Sequence, residues 1–300
     1  MDTRAEQRLL RASIFVTTLV GAGALIAGWI LNASAIMFDG IYSLIDVLVT
    51  TGSLTVSRLL SNPASRRFQY GFWHLEPLVE TVGGAILATA CVYAGIDAVE
   101  GLLRGGHVIE FGTAIAWAAT LGVVGIGMST FMRRQSRRLG SPLLAMDSRT
   151  WMVSAMLSFA LLAGFGLAIA MAGTRFARWI PLVDPAVLLA VSMVTLPVPL
   201  LGTVRAFREI LQVAPTELDR KVRAVMDAVM AERGFLDYAS HVQKVGRGQF
   251  IEIHVLLPDT HVFSPISMAD ALRDEIAARL GEDTATTWLT IDFTGDRAWL

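Results

Sequence analysis

Three carboxylates stand out because they lie in stretches where almost nothing else can ionise. The run Phe38-Asp39-Gly40-Ile41-Tyr42-Ser43-Leu44-Ile45-Asp46 places Asp39, Tyr42 and Asp46 at offsets of three and seven, so on a helix they share one face. The run Met146-Asp147-Ser148-Arg149-Thr150-Trp151-Met152-Val153-Ser154 repeats those offsets with Asp147, Thr150 and Ser154. Two facing rows of carboxylate and hydroxyl oxygens can replace the water shell of a cation. A carboxylate deep in a bilayer is costly unless it meets a partner or a wet cavity, and Asp46 sits deepest of the three. Asp39 and Asp147 lie nearer the ends of their apolar runs, where interfacial water can solvate them. The neutral members have an ordinary alternative, since Ser and Thr in a span bond helix backbone and Tyr anchors at the interface.

The elements that must position these rows are membrane spans. At 300 residues the chain is 54% hydrophobic and only 17% charged, with a mean hydropathy of +0.55, against about 25% charged in an ordinary soluble domain. Six stretches reach the roughly 20 apolar residues that a bilayer core requires. They lie near 12–31, 35–58, 77–101, 111–132, 143–171 and 183–203. Arg4, Arg8, Arg11, Arg58, Arg66, Arg67, Arg133, Arg134, Arg137 and Arg138 fall on one side of these spans, and Arg104, Arg175 and Arg178 on the other. Because cytoplasmic loops collect Lys and Arg, both termini are expected in the cytoplasm. A net charge of −1 gives no field for nucleic-acid binding. The single cysteine, Cys91, lies in an apolar run, which excludes a disulfide framework and suits a buried structural thiol.

The stretch from 205 to 300 follows different rules from the 1–204 membrane part. Leu218, Val222, Val225, Met226 and Val229 recur at helical spacing between Glu217 and Glu232. His241–Val245 and Phe250–Leu257 read as strands around a Gly246–Gly248 turn, followed by a helix from Ser264 to Leu280 and a strand from Thr286 to Phe293. This α-β-β-α-β order predicts a small two-layer, ferredoxin-like α+β domain. The predicted fold class is thus an α-helical membrane protein of six transmembrane helices followed by a cytoplasmic α+β domain.

These residues resemble the cation diffusion facilitators, six-span dimeric transporters that expel divalent metals in exchange for protons. The likeness runs along nearly the whole chain. Family members carry Ala-Asp-x-x-(His or Asp)-Ser-x-x-Asp in span two, and here Asp39, Ser43 and Asp46 match while Tyr42 replaces a ligand. Tyr70-Gly71-Phe72-Trp73-His74-Leu75-Glu76-Pro77-Leu78 is similar to the family's entry to span three, and Asp184-Pro185 to its opening of span six. In span five the family pattern would place ligands where Thr150 and Ser154 stand, so only Asp147 survives. A site of carboxylates and hydroxyls suits manganese, iron(II) or magnesium better than zinc, which favours nitrogen and sulfur. In the tail the resemblance implies a regulatory metal site at His241 and His254, with Asp270 and Asp292 where the family has later histidines.

The resemblance implies an inner-membrane homodimer that exports a divalent cation of the zinc, cobalt, cadmium, iron or manganese class by proton antiport, with Asp39, Asp46 and Asp147 at its core. The alternative is a transport-inactive paralogue serving as metal sensor or partner subunit. No resident cofactor is expected, the cation being substrate. Nothing in the sequence points to an enzyme: there is no Gly-rich phosphate loop, no HExxH pair and no Walker lysine.

Overall fold

A computed structural model describes residues 3–60, 72–106, 111–139, 142–246, 248–258, 260, 261, 263, 265–281 and 287–300. Arg66, Arg67, Tyr70, Gly71, Ser264 and Thr286, named above, lie outside these residues. Chain contacts gather into two units, Met1–Leu54 with Val82–Thr203, and Thr55–Thr81 with Val204–Leu300.

The first unit is built from α1 (Thr3–Ile30), most of α2 (Ser34–Leu60) and α3 (Leu75–Leu103), then α4 (Phe111–Leu139), α5 (Pro142–Met171), α6 (Val183–Thr195) and the start of α7 (Pro197–Ile210). Among the described residues, six helical stretches are long and apolar enough to cross a membrane, the last of them Ala177–Ile210. Trp29, Leu48, Tyr93, Val123 and Met193 are exposed on their surfaces, as expected of side chains facing hydrocarbon. The expected sixth span runs on through Leu196, which stays helical and donates to Ser192, so that Pro197 costs the ladder one donor without breaking the stretch. Its core is rich in small residues: Ala24, Ala35, Cys91, Ala94, Ala98, Ala118 and Ala168 are buried with Ile36, Leu161 and Phe165. Between lipid-solvated helices such residues let backbones approach closely. Gly40 is one such approach, since a Cβ there would lie 2.7 Å from the Leu25 amide nitrogen and 2.8 Å from the Gly21 carbonyl oxygen. This contact locks α2 onto α1 at the level where Asp39 begins its row.

The ends of α2 and α6 are joined by charge. Asp184, in the first turn of α6, is fully buried. Its carboxylate accepts from the Ser34 amide at 2.9 Å and from the Ala35 amide at 3.4 Å. These N–H groups open α2 and have no partner within their own helix, so a residue 150 positions away caps the helix that carries the Asp39 row.

In the second unit α8 (Thr216–Arg233) and α9 (Ser267–Leu280) cover one face of a three-stranded sheet. Strand β1 (Asp237–Val245) pairs antiparallel with β2 (Gly248–Leu256), and β2 pairs parallel with β3 (Thr287–Thr294), in the order β1-β2-β3. Ile251, Ile253, Val255 and Ile291 bury against Val222, Met226, Val229, Leu272, Ile276 and Leu280. By alternation Glu252, His254 and Asp292 stand on the helix-free face. The α-β-β-α-β order is therefore present, with β1 starting four residues earlier than its apolar pattern predicts. Its extra residues Asp237–Ser240 pair with Leu256–Ile253, so backbone bonding extends the strand where side chains give no signal. The β1–β2 turn meets the start of α3. Gly246 has φ +59°, and a Cβ there would lie 2.9 Å from the Trp73 carbonyl oxygen, while its amide donates to Glu209 at 3.1 Å.

Candidate metal centre

Helix α2 carries Asp39, Tyr42 and Asp46, and α5 carries Asp147, Thr150 and Ser154. The two helices are the second and fifth of alternating spans, so the rows run in opposite directions. Asp147 lies near enough to Asp46 to act on it as a like charge. Tyr42 neighbours Asp46 and Cys91, and its ring lies 6.1 Å from that of Phe38. Asp39 is only 6% exposed, but seven residues at 1.5 Å each place it about 10 Å along α2 from Asp46. The carboxylates of the two rows that lie within electrostatic reach are thus Asp46 and Asp147, with Tyr42 beside Asp46. Asp39 stands one helical step away in the same row.

The neutral members of the α5 row divide. Thr150 is exposed and Ser154 half-buried, and the Ser154 carbonyl accepts from Ser158 Oγ at 3.0 Å. Asp147 has a partner that its own row does not supply. Ser13 of α1 donates to its two carboxylate oxygens at 2.8 and 3.1 Å, and Trp151 Nε1 donates to Ser13 Oγ at 2.7 Å. Trp151 buries its ring with Leu10, Met132 and Leu144. A hydroxyl that accepts from an N–H and donates to a carboxylate polarises the whole chain of bonds, so this arrangement fixes where Asp147 points.

In the tail His241 and His254 lie on the helix-free face with ring centroids 6.2 Å apart. His254 Nδ1 is 3.6 Å from Asp292 Oδ2, its register partner on β3. Asp270 lies elsewhere: on α9, it accepts from Arg273 at 2.8 Å, and Arg273 also donates to the Ile291 carbonyl. Three of the four tail residues therefore share a face, and the fourth is held by an arginine. Among the described residues, no three of His, Cys, Asp and Glu gather closely enough to hold a metal ion.

A model of the cation efflux transmembrane domain matches residues 10–211, spanning every helix just described from α1 to α7. The chain belongs to the cation efflux family. A "Probable cation efflux system protein" of Mycobacterium tuberculosis is 26% identical over 229 residues, covering 75% of this chain and 65% of that protein. The chain thus spans somewhat under two thirds of that relative's length. A manganese efflux system protein of Bacillus subtilis is 25% identical over 111 residues, 37% of each chain. An uncharacterized transporter of Methanocaldococcus jannaschii is 27% identical over 165 residues, 54% of this chain and 57% of that one.

Membership of the cation efflux family bears out the resemblance drawn from Asp39, Ser43, Asp46 and Asp184-Pro185. Ser13 and Trp151 escaped that reading. Trp151 lies four residues after Asp147 and so on its face, which was a usable signal. Ser13 gave none, because a lone serine in a span is ordinary.

Proposed function

We propose that this chain is a secondary transporter that exports a divalent metal cation from the cytoplasm in exchange for protons. The carrying observation is that carboxylates from two different spans, Asp46 and Asp147, lie within electrostatic reach of each other, inside a bundle rich in small residues. Two like charges in a low-dielectric setting are unfavourable. A divalent cation between them relieves the repulsion, and so does a proton. A metal ligand must lose its proton before it binds, so one pair of residues can carry either load, and the exchange of the two follows.

The chemistry of the donors narrows the cargo. Asp46 and Asp147 offer hard carboxylate oxygen, and Tyr42 and Ser154 offer hydroxyls; this set favours manganese, iron(II) or magnesium over zinc. The B. subtilis relative named for manganese efflux supports the same choice. Asp39 serves as the next station along α2, one step from the pair. The protein acts as a homodimer in the inner membrane, with both termini and the α+β domain on the cytoplasmic side, as the arginine distribution favours. A regulatory metal in the tail would be held by His241, His254 and Asp292, which share one sheet face but would have to draw closer to close around an ion.

Flux of Mn2+, Fe2+, Mg2+, Co2+ and Zn2+ into proteoliposomes tests this reading. Manganese or iron(II) uptake well above zinc uptake is expected. Absence of flux for all five, from folded dimeric protein, would move the assignment to a sensor or partner subunit.

A further inference from the structure

Asp147 is held by a residue that comes from neither of the two helices bearing the carboxylate rows. Ser13 is 1% exposed on α1, and its one hydroxyl proton is committed to the Asp147 carboxylate, with the shorter contact 2.8 Å to Oδ2. Behind it the Trp151 indole N–H, 2.7 Å away, occupies one of the two hydroxyl lone pairs. Trp151 cannot drift, because its ring is packed in the cluster of Leu10, Met132 and Leu144. The result is a directed chain, indole to hydroxyl to carboxylate, anchored at its far end in a core. Asp147 accepts this one hydroxyl and keeps lone pairs on both oxygens for a cation.

We infer that Ser13 is a positioning residue for cation binding, holding the Asp147 carboxylate in the orientation from which it meets the cation together with Asp46. This rests on the reading of Asp46 and Asp147 as the cation site. Ser13 itself need not touch the cation. Without it Asp147 is free to rotate, and the site must order the carboxylate when the cation arrives. Partners of this kind, one shell out from the ligands, typically alter metal affinity by about 10–100-fold.

The test is isothermal titration of Mn2+ into the purified full-length dimer, with Mn2+ flux in proteoliposomes from the same preparations. Ser13→Ala is expected to weaken Mn2+ binding and raise the concentration for half-maximal flux about tenfold, with the maximal rate within about twofold of wild type. Ser13→Thr, which keeps the hydroxyl, restores both. Trp151→Phe, which keeps the ring and loses only the N–H, gives a smaller shift in the same direction. Wild-type Mn2+ affinity in Ser13→Ala would overturn the inference, as would a Ser13→Thr protein that is folded and as impaired as Ser13→Ala. Mn2+ binding that weakens in Ser13→Ala while wild type carries no flux would uphold Ser13's role and overturn the exporter reading. Absence of Mn2+ binding to wild type would overturn both.

Discussion

Asp184 makes a prediction about stability that is separate from transport. Its buried carboxylate accepts from the first two amides of α2, and replacing it with alanine strands those donors away from water. Asp184→Ala is expected to lose about 1–3 kcal/mol, read as a lower midpoint of thermal unfolding in detergent, and Asp184→Asn, which keeps one acceptor oxygen, to lose less. Side chains differ sharply in how far the sequence announced them. Asp46 and Asp147 were legible because ionisable groups in apolar runs demand a reason. Asp184 was legible as a helix opener, yet its acceptor role depends on a contact 150 residues away. Ser13 depends on one 134 residues away, and no local pattern encodes it. Thr150 shows the converse: its spacing put it in the row, but the helix presents it outward, since seven-residue spacing fixes a face only to within the width of that face.

Helices and strands were the most readable level, because hydrophobic length and period follow directly from burial. All six spans and the α-β-β-α-β order follow from apolar run length and spacing. What stayed hidden was where backbone pairing rather than side-chain pattern decides, as in the early start of β1. Packing between elements was likewise invisible, and Gly40 is its clearest instance. Gly40→Leu would drive a side chain into the backbone of α1, where even a Cβ lies 2.7 Å from Leu25 N. Overpacking of this kind costs about 1–3 kcal/mol or more. We expect Gly40→Leu to reduce the yield of monodisperse protein and to impair cation binding, since α2 cannot then keep its row in place. Wild-type unfolding and binding would show that α1 and α2 do not pack as described.

For the molecule as a whole, orientation is the property that an exporter must satisfy. Because Cys91 is the single cysteine, a Cys91→Ser background permits clean labelling. Arg178→Cys is expected to react with a membrane-impermeant maleimide in intact cells, and Arg138→Cys only after permeabilisation; the reverse pattern would invert the direction of transport. The central claim is that Asp46 and Asp147 exchange protons for a divalent cation, and it is met most directly by Mn2+ flux into proteoliposomes loaded with a pH-sensitive dye. Wild type should take up Mn2+ with simultaneous proton movement in the opposite direction. Asp46→Asn, which keeps the shape and removes the exchangeable charge, should do neither while remaining folded and dimeric. Undiminished, proton-coupled Mn2+ uptake by Asp46→Asn would contradict the account.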